Sequence, residues 1–299
     1  MPVLTALKEY GQSKSRHRGT AMKSQDGKYS VGNYEDTFQE PRCGIYHLRV
    51  YYPSTELGAS AHPCRSDSPY PAIIFAHGLG ANYEMYKYMP KHLGSKGYIY
   101  LLFNNPSRFE FNIPTYAERI TASINYLLHQ NSDSGSLLYG MVDQRRIVVE
   151  GHSMGCMAAI VASVKDTRIA ATILLAPPNR HSAIRSQKLR NRFLRKLDFE
   201  DAENQIVMVE EALRHLNKPT QIQYGTKDAY IGEAPLQIFR DIPTQQKQLV
   251  KIEGGNHIQF MDSSPIVALF AGDNKPDIST EDVHGISLNR KIVFLNRYL

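Results

Sequence analysis

Short apolar runs alternating with helically spaced stretches constrain this chain more than any other feature. Residues 71–76 are compact and almost wholly apolar, as strands buried on both faces are, and 98–103, 146–149, 171–175, 220–224 and 248–252 look similar. Residues 47–53 alternate instead, with Leu48, Val50 and Tyr52 on one side, and read as an early strand. Between the runs lie helical patterns at 116–129 (Ile120, Ile124 and Leu127), 156–165, 203–216 (Ile206, Val209, Leu213 and Leu216) and 287–299. Strands alternating with helices predict an α/β fold, a mostly parallel sheet of about seven to eight strands with helices on both faces.

A length of 299 residues with 42% hydrophobic side chains suits one large domain. The expected organisation is an N-terminal arm over 1–28 and a single α/β domain over 29–299. The stretch between the strands at 171–175 and 220–224 exceeds what one crossover helix requires. Its first half carries Arg180, Arg185, Lys188, Arg190, Arg192, Arg195 and Lys196 among Ile184, Leu189, Phe193 and Leu194. It reads either as a solvated helix or as a lid or cap insertion over 178–216.

The balance of 35 Lys+Arg against 29 Asp+Glu gives +6, only mildly basic, and no nucleic-acid motif accompanies it. No apolar run is long enough for a transmembrane helix. The arm is basic without an apolar core, so no signal peptide is recognised and a cytoplasmic location is expected. Three cysteines, Cys43, Cys64 and Cys156, are too few for a disulfide scaffold. Cys43 and Cys64 read as free thiols, with pairing as the alternative.

Chemistry concentrates at residues 147–155, Ile-Val-Val-Glu-Gly-His-Ser-Met-Gly. Gly151, Ser153 and Gly155 form G-x-S-x-G between a buried strand and a small-residue helix. A sharp strand-to-helix turn there raises the serine hydroxyl at the sheet's carboxyl edge. A hydroxyl needs a base within reach, and the base needs a carboxylate to orient it. In an α/β chain the order Ser, then acid, then His selects Asp228, after the strand at 220–224, and His257, after the strand at 248–252. Asp241 sits at a helix end and Asp262 follows the histidine too closely. Asp273 and Asp277 come after it, out of order. His181, His215 and His284 read as solvated. The oxyanion donors expected are the N–H groups of Met154 and of Leu79, the latter in His77-Gly78-Leu79-Gly80. Gly78, Gly80, Tyr83 and Tyr86 are candidate substrate-binding residues. No histidine or cysteine spacing suggests a metal, and no cofactor is expected.

From Ile45 to Leu299 the chain resembles the dienelactone-hydrolase-like branch of the α/β-hydrolase superfamily, and its chlorophyllase-like, platelet-activating-factor-acetylhydrolase-like and cutinase or polyester-hydrolase relatives. The resemblance rests on residues 50–53 (Val-Tyr-Tyr-Pro), the His77-Gly78 loop, residues 151–155, residues 225–228 (Gly-Thr-Lys-Asp) and residues 254–260 (Gly-Gly-Asn-His-Ile-Gln-Phe). It implies the α/β-hydrolase fold, Ser153 as nucleophile with Asp228 and His257, and Leu79 and Met154 as oxyanion donors. Two departures stand out. Dienelactone hydrolases use cysteine where this chain has Ser153, so their substrate is not implied. Polyester hydrolases usually carry a tryptophan near the site; this chain has none, and the corresponding stretch reads Ala176-Pro177-Pro178-Asn179. The expectation is a serine hydrolase of carboxylic esters, with a small-molecule ester or lactone as its partner. The alternatives are a lactonase or acyltransferase on the same residues, or a binding protein on a hydrolase scaffold.

Overall fold

The computed structural model describes residues 27–41, 44–182, 199–262 and 272–299. Its strands are β1 (Ser30–Glu40), β2 (Gly44–Ser54), β3 (Gly58–Ala59), β4 (Tyr70–Ala76), β5 (Ile99–Phe103), β6 (Val142–His152), β7 (Ile169–Leu175), β8 (Thr220–Gly225) and β9 (Lys247–Ile252). The described helices are α1 (Tyr88–Ser95), α2 (Ile113–Ser132), α3 (Met154–Lys165), α4 (Phe199–Arg214), α5 (Ala234–Asp241) and α6 (Thr280–Tyr298).

All the strands join one 9-stranded sheet in the order β3-β1-β2-β5-β4-β6-β7-β8-β9. From β5 to β9 every pairing is parallel, while β2 runs antiparallel to both β1 and β5. The count exceeds the expected seven to eight because β1 and β3 join at the edge.

Alternation along the central strands divides the core in two. On β4, Ala72, Ile74 and Ala76 enter one cluster with α2 and α3, while Ile73 and Phe75 enter the other with α1 and α6. A strand covered on both sides must be apolar throughout, and β4 is buried along its whole length. Helix α3 lies close on the sheet because Cys156, Ala158 and Ala159, all fully buried, are short. A buried ion pair ties α6 to β6. Lys291 Nζ lies 2.5 Å from Glu150 Oε1, and the Tyr100 hydroxyl donates to Glu150 Oε2 at 2.8 Å. Both charges lie in the core, so losing one partner would strand the other.

The strand order reverses at β4: β5 flanks it on one side, β6 on the other, and the chain then proceeds outward through β9. Loops leaving the carboxyl ends of β4 and β6 therefore part company there and leave a crevice, the usual ligand position in an open α/β sheet.

Of the proposed arm, residues 1–26 lie outside the described residues, as do Cys43 and residues 183–198 of the proposed lid. Cys64 and Cys156 are free thiols. Among the described residues no helix is long and apolar enough to cross a membrane.

Candidate active site

The turn after β6 holds Ser153 at φ 55° and ψ −120°, a left-handed conformation that a non-glycine residue rarely adopts. The fold enforces it from both sides. Ser153 N–H donates to the Leu175 carbonyl of β7 at 2.9 Å, and Cys156 N–H returns to the Ser153 carbonyl at 3.0 Å. Gly155 sits so close to β4 that a Cβ there would run into the Ala76 carbonyl oxygen, so only glycine fits. Ser153 occupies the N-cap of α3, yet its side chain makes no capping hydrogen bond. The first turn of α3 directs its positive end toward the same spot.

The His77–Gly80 loop passes directly beside the serine, and a Cβ on Gly78 would lie 3.3 Å from that of Ser153. Its amides are largely committed. Gly78 N–H donates to the Tyr86 hydroxyl at 3.2 Å, Gly80 N–H to the Arg108 carbonyl at 2.7 Å, and Ala81 N–H to the Gly78 carbonyl at 3.1 Å. Leu79 N–H takes no part in these bonds.

Buried polar contacts fix that loop. His77 Nδ1 meets the Gly78 carbonyl at 2.8 Å, and its Nε2 lies 3.3 Å from the Asn105 N–H. The ring is thus neutral with its proton on Nδ1, and burial holds its pKa down to about 4. Asn105 is gripped in turn by Arg119 at 2.9 Å, which also pairs with Glu110. Below the elbow, His152 Nδ1 meets the Tyr86 hydroxyl at 2.8 Å. Burial first, then the nearby His257, keep His152 well below the usual imidazole range, so it stays uncharged.

Asp228 and His257 come from the turns after β8 and β9. These turns meet backbone to backbone: a Cβ on Gly225 would strike the Gly255 carbonyl, whose oxygen accepts the Lys227 N–H at 2.8 Å. His257 Nδ1 lies 2.7 Å from Asp228 Oδ2. The other carboxylate oxygen accepts N–H bonds from Tyr230 at 2.9 Å and Ile231 at 3.1 Å, so Asp228 is held at both ends. Nδ1 must carry the proton to donate to a carboxylate, which leaves Nε2 with a lone pair. The His257 ring lies 4.8 Å from that of His152, next to the serine, and 5.1 Å from that of Tyr230.

The other sequence candidates fall elsewhere. Asp262 accepts the Lys87 N–H at 2.6 Å, and Asp277 pairs with Lys227 at 3.1 Å. Asp241 is exposed at the end of α5, and His215 pairs with Glu211 on the surface. His284 departs from expectation. It is buried, stacked on Tyr88 at 3.4 Å, with Nε2 3.1 Å from the Met261 carbonyl. Tyr86 is a correction as well. It was expected to line the acyl pocket, but it is fully buried with its hydroxyl shared between Gly78 and His152. Its place is beneath the His77–Gly80 loop. Tyr83 is also mostly buried, under the Arg49 guanidinium. A polar cleft borders the site through Tyr230, lined by Asn179, His181, Ser182, Glu233 and Gln237. No cluster of metal-ligating side chains occurs among the described residues.

A mostly parallel sheet whose order reverses beside a serine on a strained strand-to-helix turn defines the α/β-hydrolase fold. The chain belongs to the PET hydrolase-like family, whose pattern matches residues 20–192. That span holds the His77–Gly80 loop and the Ser153 turn, and ends before Asp228 and His257. A Mycoplasma pneumoniae protein named putative esterase/lipase 2 is 32% identical over 120 residues, which cover 39% of this chain and 41% of that protein. The matched part thus spans well under half of that relative.

Proposed function

We propose that the protein is a serine hydrolase of carboxylic esters acting through an acyl-enzyme. His257 Nε2 takes the Ser153 proton as Oγ attacks the ester carbonyl. The tetrahedral oxyanion is held by the Leu79 and Met154 N–H groups. The imidazolium then protonates the leaving alcohol, and a water molecule, deprotonated by the same nitrogen, releases the acid. Asp228 holds the productive tautomer and stabilises the imidazolium. The observation that carries this reading is the 2.7 Å contact of Asp228 with His257 Nδ1, which turns the basic nitrogen away from the carboxylate, at the sheet edge where Ser153 is strained outward. Membership in the PET hydrolase-like family and the name of the bacterial relative support an ester substrate.

The test is hydrolysis of a p-nitrophenyl ester by the wild type and Ser153→Ala. The variant should keep its fold and lose at least about a thousandfold in kcat, since removing a nucleophile leaves only binding and oxyanion stabilisation. Full residual activity would overturn the assignment. An acyl-chain series run beside a lactone and an aromatic polyester oligomer then identifies the substrate class. With no tryptophan in the chain, the short acyl esters are expected to lead the oligomer.

A further inference from the structure

Asp273 lies on the segment that enters α6, after His257 in sequence and outside the Ser-acid-His order. Its carboxylate nevertheless reaches both loops that carry the proton-handling pair. Oδ1 accepts the N–H of Ala229, the residue following Asp228, at 2.9 Å. Oδ2 accepts the N–H of His257 itself at 2.7 Å and that of Ile258 at 3.2 Å. The segment is anchored to the same loops by its neighbours. Asn256 Nδ2 donates to the Asn274 carbonyl at 2.8 Å, and Asp277 N–H donates to the Gly254 carbonyl at 2.8 Å.

We propose that Asp273 is a positioning residue for the reaction: one carboxylate clips the backbone of the acid loop to the backbone of the base, fixing their separation and placing a second anion beside the imidazole. This rests on the assignment of His257 as base. Asp228 sets the tautomer through the ring, while Asp273 sets the height and angle of the ring through the main chain. Neither could do both, because Asp228 spends its second oxygen on its own loop. The proximity has a cost. Burial first, and Asp228 among its neighbours, push the Asp273 carboxyl above the usual range. An unneeded buried carboxylate would be an expensive thing to hold beside another.

Among the described residues, the carboxylates of Asp228 and Asp273 lie against His257 and favour imidazolium, while the His152 ring, kept uncharged by burial, and the Tyr230 ring flank it. Lys227 and Asp277 pair with each other nearby. Removing the Asp273 charge should therefore lower the pKa of His257. The acid limb of kcat/KM should move to lower pH by about half a unit, as expected for a neighbouring charge partly exposed to water. A purely structural role would leave that limb in place.

The test compares wild type, Asp273→Asn and Asp273→Glu, reading kcat and KM on a p-nitrophenyl ester, pH profiles and the rate of covalent labelling by a fluorophosphonate. The amide keeps the shape but accepts through one oxygen only, so one loop loses its bond. The expected result is a fall in kcat and labelling rate of about tenfold or more with KM within about twofold, as for a mispositioned base, and the acid limb displaced downward. Glu keeps the charge and alters the reach, so its limb should stay while kcat falls. Should the Asn variant not fold, the Glu variant decides: wild-type kcat, or a displaced limb, refutes the proposal. Wild-type kcat and an unmoved limb in Asp273→Asn refute it likewise, whatever happens to the melting temperature. A wild type that takes no label removes the assignment of the base, and this inference with it. A labelled wild type beside an unaffected Asn variant removes this inference alone.

Discussion

Replacing Tyr86 by Phe deletes one oxygen at the point where the His77–Gly80 loop meets the Ser153 turn. The ring is fully buried, 4.6 Å from Phe75 and 5.7 Å from His152, and those packing contacts survive the change. What is lost is a hydroxyl that accepts the Gly78 N–H and is hydrogen-bonded to His152 Nδ1. Both partners are buried, and His152 cannot compensate by taking a proton because its surroundings disfavour the charged ring. Each buried group left without a partner costs about 1–3 kcal/mol, so the pair should cost about 2–6 kcal/mol. In a domain of this size that lowers Tm by about 3–10 °C. Gly78 precedes Leu79, the proposed oxyanion donor, so a loosened loop should also reduce kcat by about tenfold, less than the hundredfold or more expected for outright loss of a donor. Thermal unfolding by circular dichroism and p-nitrophenyl ester kinetics measure the two. A variant within about 1 °C of wild-type Tm and twofold of its kcat would refute the reasoning, since it would mean the hydroxyl supports neither loop nor elbow.

Asp228→Asn should fold and lose about 10⁴ in kcat, because the amide favours the wrong imidazole tautomer; a loss below tenfold on an ester series would contradict it. Gly155→Ala forces a methyl group into the Ala76 carbonyl, backbone against backbone, and should cost about 3 kcal/mol in a urea titration together with most of the activity. Stability should fall steeply as pH drops below about 6.5, the ordinary imidazole value. His77, His152 and His284 have folded pKa values depressed by burial, so between that value and the folded ones the unfolded chain binds more protons. Their contribution is complete above the unfolded value, and is lost at up to about 4 kcal/mol per pH unit when all three titrate in the unfolded state alone. Urea midpoints unchanged between pH 7 and pH 5 would contradict that.

The sheet was legible where burial on both faces left little choice of residue. The runs of β4, β5 and β8 fall within a residue of their observed bounds, β9 needs only Lys247 added, and β7 begins two residues earlier, at Ile169. β1 was not legible. Its sequence from Ser30 to Glu40 carries Asn33, Glu35, Asp36 and Gln39, because it pairs near the sheet edge and buries little beyond Val31 and Gly32. The sequence positions chosen for the site lie on turns leaving β6, β8 and β9, since a motif of local spacing marks the serine turn and chain order narrows the rest. Contacts made through the main chain leave no such mark. Asp273 follows the histidine and so falls outside the Ser-acid-His order, yet a carboxylate that binds backbone N–H groups can come from anywhere in sequence. Tyr86 and His284 failed for a related reason: composition cannot tell a tyrosine facing substrate from one supporting a loop, nor an exposed histidine from one stacked in the core.

Trapping the covalent intermediate tests the central claim most directly. The enzyme, mixed with excess p-nitrophenyl ester and quenched in acid within milliseconds, should release a burst of nitrophenol approaching one equivalent per active site if deacylation is slow. The peptide carrying Ser153 should then be heavier by the mass of the acyl group. An acyl group on any other side chain, or turnover with every peptide unmodified across a series of slowly deacylating esters, would contradict the account.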